Sequence, residues 1–318
     1  MEAGALQRRR VAFLGPEGTF SEEALLSVPS LSGVEPVGCA TIAEAITAAD
    51  SGEVDAAFVP IENSIEGTVS ATLDCLVFES DLLIQLEYVL DVHLHLLASP
   101  GLALGDVARV HSIPVALAQC RRFLQRELPA AALVAATSTA EAARLVGEGG
   151  DGQEAAIAPA LAARLYGLHI LASDVEDHAG NQTRFVLVAP GSVPLATGHD
   201  RTTLVCFQQA DRPGSLHQIL GQFAARSLNL TKIESRPTKR GLGDYCFVIE
   251  LEGHVQDEVV GDCLKELHME LAAVKFLGSY PVAGERAPER RHEVAAARLS
   301  AAMWLDGLRS RIAPFELG

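Results

Sequence analysis

The chain has 318 residues, of which 48% are hydrophobic and 21% are charged, and this suits two globular domains with a substantial core. Its formal net charge of -16 argues against a nucleic acid or an anionic membrane as a partner, because both attract basic surfaces. No apolar run reaches the roughly 18 residues that span a bilayer, so no transmembrane helix is expected. An anionic substrate would therefore have to be attracted by local groups, against the field of the whole protein.

The six cysteines are scattered along the chain and never form a C-x-x-C pair. After the arginines at 8–10, the apolar stretch 11–14 is too short to be the core of a signal peptide. In a chain of this size without a signal peptide we expect buried free thiols and a cytoplasmic location.

Short strand patterns and helical patterns alternate from residue 10 to about residue 190. The predicted strands lie at 11–14, 55–59, near 133, at 155–158 and at 185–188, and the predicted helices at 21–28, 42–49, 119–128 and 139–146. Such alternation is typical of a mainly parallel sheet with helices on both faces.

The strand-like stretch 82–98 can carry the chain from one lobe into another. A return near 167–180 would then complete a two-lobed domain at 10–190, with a cleft between the lobes. Ligands bind to α/β proteins in such crevices, at the carboxyl ends of the strands.

A linker rich in proline, glycine and serine at 189–200 precedes a compact unit at 202–280. Its predicted strands lie at 202–207, 230–236, 245–251 and 274–280, with helices that begin at 213–214 and at 259, and this βαββαβ order predicts a ferredoxin-like domain. The tail at 281–318 is polar and then helical around 294–311. Its apolar stripe of Leu305, Leu308 and Ile312 is expected to dock on a neighbour.

Three runs of small hydroxyl, amide and charged residues stand where a strand pattern meets a loop or a helix start. They are Gly-Pro-Glu-Gly-Thr-Phe-Ser at 15–21, Pro-Ile-Glu-Asn-Ser-Ile-Glu-Gly-Thr at 60–68, and Asn-Gln-Thr-Arg-Phe at 181–185. The first run joins helix-start N–H groups, which suit an anion, to the hydroxyls of Thr19 and Ser21. In the second, Asn63, Ser64 and Thr68 could point into the same cleft. These runs therefore predict one polar pocket built from distant segments.

The third run contributes a hydroxyl at Thr183 and a guanidinium at Arg184 that suits bidentate binding of a carboxylate. Each run also has a purely structural interpretation, and these interpretations stay open. They are a turn with Ser21 as the helix cap, a loop with a capping box at 63–66, and the entry to an edge strand with a surface arginine.

Other chemistries lack their sequence signatures. The chain has no G-x-x-x-x-G-K-[ST] loop, no G-x-G-x-x-G after a strand and no G-x-S-x-G elbow. His93 and His95 can present two ligands on one face of a strand, but no cysteine, aspartate or third histidine falls at a fitting spacing. The sequence therefore predicts no metal site.

In this order the three runs resemble the signature of the prephenate dehydratases. The unit at 202–280 resembles an ACT domain, through Arg-Pro-Gly-Ser-Leu at 212–216 and Glu-Ser-Arg-Pro at 234–237. The resemblance covers residues 10–280, although the usual Gly-Ala-Leu-Val of the family reads Gly-Ser-Leu-His at 214–217, and the family's glutamine before the Gln-Cys pair is Val115.

The resemblance implies a two-lobed, periplasmic-binding-protein-like catalytic domain followed by a regulatory ACT domain. It implies that prephenate loses carbon dioxide and its ring hydroxyl together to give phenylpyruvate, without a cofactor. Thr183 would be the residue most tied to catalysis. The implied substrate contacts are Thr19, Ser21, Asn63, Ser64, Thr68, Gln119, Asn181, Arg184 and Phe185.

The family resemblance also implies feedback inhibition by L-phenylalanine at the interface of paired ACT domains, in a dimer or a tetramer. The candidate effector contacts are Pro213, Gly214, Ser215, Leu216, Asn229, Leu230, Glu234 and Ser235. Three alternatives remain open: an amino-acid sensor without catalysis, a secreted solute-binding protein, and a dehydratase that acts on arogenate.

Overall fold

The computed structural model describes residues 9–149, 152–208, 212–239, 241, 243–284, 296, 299–301 and 303–311. The chain divides into two compact units. The first, here called the cleft unit, comprises Met1–Leu82 and Tyr88–Gly191. The second, here called the C-terminal unit, comprises Leu83–Glu87 and Ser192–Gly318. Each unit is treated separately below.

The elements of the cleft unit follow one another as strands and short helices. In chain order they are β1 (Arg10–Leu14), α1 (Phe20–Ser27), β2 (Glu35–Cys39), α2 (Ile42–Asp50), β3 (Ala56–Asn63), β4 (Gly67–Thr68), α3 (Ser70–Asp74), β5 (Leu83–Asp91), β6 (His95–Ala98), β7 (Arg109–Ser112), α4 (Pro114–Gln119), α5 (Arg121–Glu127), β8 (Ala132–Ala135), α6 (Thr139–Gly147), β9 (Glu154–Ala158), α7 (Ala160–Leu165), β10 (His169–Ala172) and β11 (Gln182–Ala189). The first five residues of β5 belong to the C-terminal unit.

These strands form two sheets, one in each lobe. The first has the order β2-β1-β3-β11-β5 with β4 paired to β3, and the second has the order β10-β6-β9-β7-β8. The chain passes between the sheets twice, from β5 to β6 and from β10 to β11. This is the two-lobed architecture that the sequence predicts.

The sheets are less uniformly parallel than predicted. β1 runs parallel to β2 and β3, and β7 runs parallel to β8 and β9. In contrast, β11 is antiparallel to β3, and β6 is antiparallel to both β9 and β10. The antiparallel strands β6, β10 and β11 adjoin the crossings between the lobes, where the chain enters a sheet without a βαβ connection.

Several elements differ from the sequence prediction for local reasons. The pattern did not predict β2, an exposed edge strand that contains Pro36 and Gly38, two residues that weaken a strand signal. The helix predicted at 119–128 is two helices, because the backbone leaves helical geometry at Cys120 (φ -109°, ψ 16°). α4 begins earlier, with Pro114 in its first turn, a position that suits proline.

The C-terminal unit has the predicted βαββαβ order. Its elements are β12 (Asp200–Phe207), α8 (Ser215–Ala224), β13 (Leu230–Pro237), β14 (Tyr245–Glu252), α9 (Glu258–Glu270) and β15 (Ala273–Pro281). The antiparallel sheet has the order β13-β14-β12-β15, as in a ferredoxin-like domain. Phe247, Ile249 and Leu251 alternate along β14 and join Phe223 of α8 and Leu267 of α9 in one core.

Two expectations from composition concern cysteines and membrane spans. All six cysteines are free thiols, and five of them are buried while Cys39 is half-buried. Burial raises the pKa of Cys120 and Cys206 to about 12. Within the described ranges, no helix combines the length and the apolar character needed to cross a bilayer. In the tail, Leu305 and Leu308 are exposed, and Ile312 lies outside the described residues.

Gly278 in β15 is required by a close backbone approach within the C-terminal unit. A Cβ atom placed there would lie 2.6 Å from the carbonyl oxygen of Ile84, and φ is +142°. We therefore expect Gly278→Ala to lower the free energy of unfolding by roughly 1–3 kcal/mol, measured by urea or thermal unfolding of the full chain. The matched control is Gly221→Ala in α8, where nothing lies within 4 Å. The control should be neutral or slightly stabilising, and equal stability of the two variants would contradict the steric explanation.

Candidate active site

A cavity of about 860 Å³ lies between the two lobes of the cleft unit, a size that suits a small organic molecule. Both lobes and the crossings between them line it. The lining residues are 14–17, 19–21, 38–40, 60, 63, 66, 92, 94, 113, 115, 116, 119, 137–139, 181, 183 and 185. The three runs singled out in the sequence all contribute to this lining.

The third run meets the second because β11 pairs with β3. The register places Thr183 opposite Asn63 and Arg184 opposite Glu62. Residues 63 and 183 are 120 positions apart in sequence, yet the Asn63 amide nitrogen lies 2.9 Å from Thr183 Oγ1. The same nitrogen lies 2.9 Å from Asn181 Oδ1. The antiparallel pairing therefore brings the polar ends of both runs to one edge of the cavity.

Hydrogen bonding fixes the orientation of the Asn63 side chain. Asn63 Oδ1 accepts from the backbone N–H groups of Ile65 and Glu66, at 2.9 and 3.0 Å. Backbone N–H groups only donate, so the oxygen must face them and the NH₂ group must face Thr183 and Asn181. Asn63 Oδ1 thus holds the turn between β3 and β4; the capping box predicted at 63–66 is absent, because no helix begins there. The NH₂ end of the same side chain lies at the cavity.

The orientation of Asn63 determines those of two further amides. Asn181 Oδ1 accepts from Asn63, so Asn181 Nδ2 is the donor to Gln119 Oε1, at 3.1 Å. Because the oxygen of Gln119 accepts, its NH₂ group is a donor at the cavity. We call Asn63, Asn181 and Gln119 the amide chain; it joins β3 in the first lobe to α4 in the second.

Thr183 accepts a hydrogen bond in this arrangement, and its own hydroxyl hydrogen remains available for donation to a ligand. Its Oγ1 accepts from Asn63 Nδ2, and its own O–H is directed by no other contact among the described residues. The hydroxyl is therefore a donor at the cavity wall. Ser64 supports this strand entry, because its Oγ accepts from the N–H of Gln182 at 2.9 Å.

Arg184 stands between Thr183 and Phe185 on β11, and the pairing with β3 shifts in register between Arg184 and Phe185. Thr183 and Phe185 line the cavity, whereas Arg184 is buried beside Glu62, with Nη2 and Oε2 2.8 Å apart. The structure therefore places this guanidinium on a protein carboxylate and away from the cavity. Thr68 also lies outside the lining, paired with Glu62 on β4.

The first run forms a tight turn that leads into α1. Thr19 is the helix cap, rather than Ser21: its Oγ1 accepts from the N–H of Glu22 and donates to the carbonyl of Leu14. Both Thr19 and Ser21 line the cavity. The hydroxyl of Thr19 is thus committed to the turn, while Ser21 lies in the first turn of the helix and faces the cavity.

The sequence interpretation missed Thr137, Ser138 and Thr139, which line the cavity from the second lobe. Ser138 caps α6 by accepting from the N–H of Glu141 at 2.9 Å. A Ser-x-x-Glu capping box is visible in the printed sequence and could have located this loop. Val115, which replaces the family's glutamine, also lines the cavity.

The electrostatics of the cavity depend on helix ends rather than on cations. Its charged lining residues are Glu17 and Glu66, and no lysine or arginine is found among the described residues that line it. The N-terminal ends of α1 and α6 reach the lining from opposite lobes. Their free N–H groups and positive dipole ends favour an anion there.

The lobes also contact each other at the rim of the cavity. Tyr166, after α7 in the second lobe, donates its hydroxyl to the carbonyl of Glu17 in the first, at 2.9 Å. Gly18 (φ +86°) packs beside it, 3.3 Å from the Tyr166 ring measured from an ideal Cβ. Burial raises the pKa of Tyr166, so its hydroxyl remains a donor at neutral pH.

Comparison with models of protein families shows to which family this chain belongs. The family model "Prephenate dehydratase" matches residues 11–192, and the model "ACT domain" matches residues 202–268. The chain belongs to the prephenate dehydratase family. It is therefore an enzyme, a carbon–oxygen lyase with prephenate dehydratase activity and a C-terminal ACT domain, as the sequence resemblance implies.

Individual relatives agree with this family. A prephenate dehydratase of Mycobacteroides abscessus is 45% identical over 86% of this chain and 90% of its own length. One from Mycolicibacterium vanbaalenii is 43% identical over 94% and 98%. A crystal structure of prephenate dehydratase from Arthrobacter aurescens in complex with L-Phe has a TM-score of 0.80 and 40% identity, covering 95% of this chain and 99% of that one.

One similar structure has a different description. GqqA, described as a novel type of quorum-quenching acylase, has a TM-score of 0.77 and 33% identity over 86% of this chain and 98% of its own. The fold alone therefore does not determine the chemistry, and the residues of the cleft must be considered.

The amide chain leads to a prediction about Asn63. In Asn63→Asp the carboxylate keeps the two backbone hydrogen bonds but loses the donor to Thr183 and Asn181. We expect kcat to fall by roughly 10²-fold or more, because the orientations of Thr183 and Gln119 are no longer determined. Turnover of prephenate and the circular dichroism spectrum are measured together.

The matched control is Thr68→Val, at a residue of the same run that does not line the cavity. It should keep kcat within about threefold of the unchanged protein, as is usual for positions away from the reacting groups. Equal activity of the Asn63 and Thr68 variants would refute the orienting role of Asn63.

Proposed function

We propose that the cavity between the lobes performs the dehydratase reaction on prephenate, with Thr183 at the leaving hydroxyl. The observation that carries this proposal is the hydrogen bonding of Thr183, whose Oγ1 accepts from Asn63 and whose proton is therefore available to a ligand. Of the other predicted substrate contacts, six line the same cavity, namely Thr19, Ser21, Asn63, Gln119, Asn181 and Phe185, whereas Ser64, Thr68 and Arg184 are outside the lining.

In the reaction, the bond between the ring and its carboxylate breaks, and the electron pair enters the ring. The bond between the ring and its hydroxyl breaks at the other end, and the departing hydroxide takes up one proton and leaves as water. The products are phenylpyruvate, carbon dioxide and water, and aromatisation provides the driving force. Thr183 donates a hydrogen bond to the leaving oxygen, and such assistance contributes roughly 10²–10⁴-fold to the rate.

The lack of a cation in the described lining favours loss of carbon dioxide. An arginine on the departing carboxylate would stabilise the ground state, whereas carbon dioxide is neutral and gains nothing from it. The wall beside the polar groups is apolar, with Phe20, Val92, Leu94 and Phe185 in the lining. The ends of α1 and α6, with the NH₂ group of Gln119, then hold the substrate anion.

Arg184 has an indirect part in this proposal. Its pairing with Glu62 joins β11 to β3 outside the cavity lining, beside the register pair of Thr183 and Asn63. We therefore propose that Arg184 positions the strand entry that carries Thr183, in place of the carboxylate clamp expected from the sequence. Thr68 has no proposed contact with the substrate.

Replacement of Thr183 tests the central role. Thr183→Val removes the hydroxyl at nearly constant volume and should lower kcat by roughly 10²–10⁴-fold. Thr183→Ser keeps the hydroxyl and should stay within about tenfold, a difference near 1.4 kcal/mol in the barrier. Phenylpyruvate formation is followed by its ultraviolet absorbance. Near-normal turnover by Thr183→Val would overturn the assignment.

The same assay distinguishes the other candidates. Prephenate and arogenate differ in a keto or an amino group on the side chain, and both are supplied to the unchanged protein in parallel. Faster turnover of arogenate would identify arogenate as the preferred substrate. Binding of either compound without product formation would favour a sensor without catalysis. For the acylase described for GqqA, a cysteine nucleophile is disfavoured, because burial raises the pKa of Cys39, the one cysteine among the described residues of the lining.

We further propose that L-phenylalanine regulates the enzyme at the C-terminal unit, as the L-Phe complex of the Arthrobacter relative supports. Pro213, Gly214, Ser215 and Leu216 stand at the start of α8, and Asn229 follows its end. A helix of 10 residues is about 15 Å long, which is too far for one amino acid to contact both ends. A second copy of the unit would bring the two ends together.

Self-association as a dimer or tetramer follows from this effector site. β13 is an edge strand of the sheet, and it carries Leu230, Glu234 and Ser235. Edge strands offer unpaired backbone groups to a second sheet. In the proposal the catalytic domain spans 10–190, the regulatory domain 202–280 and the tail 281–318, and the free thiols suit a cytoplasmic location.

Two glycines with the same backbone geometry test the effector site. Gly214 and Gly243 both have φ +88° and nothing within 4 Å of an added Cβ. Alanine should strain both positions equally, so any difference reflects the effector. We expect Gly214→Ala to raise the phenylalanine concentration for half-inhibition at least about tenfold, with activity retained, and Gly243→Ala to leave it unchanged. Equal inhibition of both variants would place the site elsewhere.

A further inference from the structure

His93, Asp174 and Glu176 meet at the two segments that cross between the lobes. His93 lies between β5 and β6, and the two carboxylates lie between β10 and β11. His93 Nδ1 is 2.9 Å from Asp174 Oδ1 and 3.5 Å from Glu176 Oε1, and all three ligand atoms fall within 4.8 Å of one another. The aspartate that the sequence did not place near the histidines lies 81 positions after His93.

These separations suit a metal ion. Bonds of about 2.0–2.2 Å from zinc to imidazole and carboxylate, at tetrahedral angles, separate the ligand atoms by about 3.4 Å. The distances of 2.9 and 3.5 Å from the histidine bracket that value. One imidazole nitrogen and two carboxylate oxygens form a donor set that zinc and similar divalent ions accept, with a fourth position left for water.

Neighbouring hydrogen bonds hold the ligands in place. The side chain of Glu176 is 9% exposed, and its second oxygen accepts from the N–H of Leu94 at 2.9 Å. The backbone N–H of Asp174 donates to His95 Nδ1 at 3.2 Å, where Asp174 itself has a left-handed backbone (φ 52°). Outer contacts of this kind orient metal ligands. The side chains of His93 and Asp174 are 57% and 60% exposed, so an ion can reach the group from solvent.

The surroundings are acidic, which suits a cation. Glu23 of α1 lines the same surface pocket as His93, His95 and Asp174. Asp91 also lines this pocket, and no lysine or arginine is found among its described lining residues, so the carboxylates give it a negative charge. A divalent ion would offset two of these charges.

We propose that His93, Asp174 and Glu176 bind a divalent transition-metal ion that joins the two segments between the lobes. Because one ligand comes from one crossing and two come from the other, the bound ion fastens the crossings together. The site is separate from the catalytic cavity, whose lining contains none of these three residues. The ion is therefore expected to stabilise the cleft unit and to act on catalysis only through the lobes.

The test uses the full chain after treatment with a chelator, with Zn²⁺ as the calorimetric probe and Co²⁺ as the spectroscopic probe. We expect one equivalent of Zn²⁺ to bind with an increase in the thermal midpoint, and Co²⁺ to give the visible absorbance of a bound ion. His93→Ala and Asp174→Asn should each weaken this binding at least about tenfold. His178→Ala is the matched control, since His178 lies on the same crossing and outside the group.

The outcomes separate the metal from an ordinary ion pair. Loss of binding in the His93 and Asp174 variants, with retention in His178→Ala, supports the site whether or not turnover changes. Equal zinc affinity in the unchanged protein and His93→Ala would overturn it, as would failure of the unchanged protein to bind zinc. Folding of each variant is checked by circular dichroism without metal, so that loss of binding is not confused with loss of structure.

Discussion

The orientation of the polar groups in the cavity depends on the two backbone hydrogen bonds that Asn63 Oδ1 accepts at the end of β3. The side-chain amide of Asn or Gln is nearly symmetric in shape, and its two ends differ only in hydrogen bonding. In a polar cavity, either of its two orientations therefore usually fits. Here the amide of Asn63 is anchored by two backbone N–H groups, which can only donate. Its orientation then fixes that of Asn181, and Asn181 fixes that of Gln119. As a result, the Thr183 hydroxyl in the first lobe and the Gln119 NH₂ group in the second lobe are donors at fixed positions in the cavity. Since the chain of contacts crosses the cleft, this order exists only while the lobes are together.

The protein has a formal net charge of -16, but few charged side chains line the cavity. The strongest cation near the reacting residues, Arg184, is paired with Glu62 outside the cavity lining, so the cavity does not hold its ligand by a direct salt bridge from this group. Helix ends and amide groups attract an anion less strongly than a guanidinium does, but they are preorganised and keep their position. For a reaction in which a carboxylate becomes a neutral molecule, weak binding of that carboxylate is an advantage. The same preorganised donors can still meet the charge that develops on the leaving oxygen.

The sequence predicted the βαββαβ unit, the two-lobed class and the three polar runs, because each leaves a local pattern: alternation along β14, glycine-rich turns, and strand ends followed by hydroxyl residues. It could not predict the side to which a residue points at a strand entry. Thr183 and Arg184 are neighbours, and only the folded structure shows that the threonine lines the cavity while the arginine pairs with Glu62 outside the lining. Nor could it predict that Thr19, rather than Ser21, caps α1, because either spacing fits a cap. The group of His93, Asp174 and Glu176 depends on two crossings that come together only in the fold.

The two crossings between the lobes contribute to the cavity as directly as the lobes do. Asn181, the middle of the amide chain, lies on the second crossing, and its carbonyl accepts from the N–H of Val92 on the first, at 2.8 Å. Val92 and Leu94 line the cavity from that same first crossing, and the carbonyl of Leu94 accepts from the N–H of Val175. The segments that connect the lobes are thus hydrogen-bonded to each other and supply part of the cavity wall. A change in the angle between the lobes must therefore move Asn181, and with it the orientation of Gln119. The crossings therefore supply residues both to the connection between the lobes and to the proposed site.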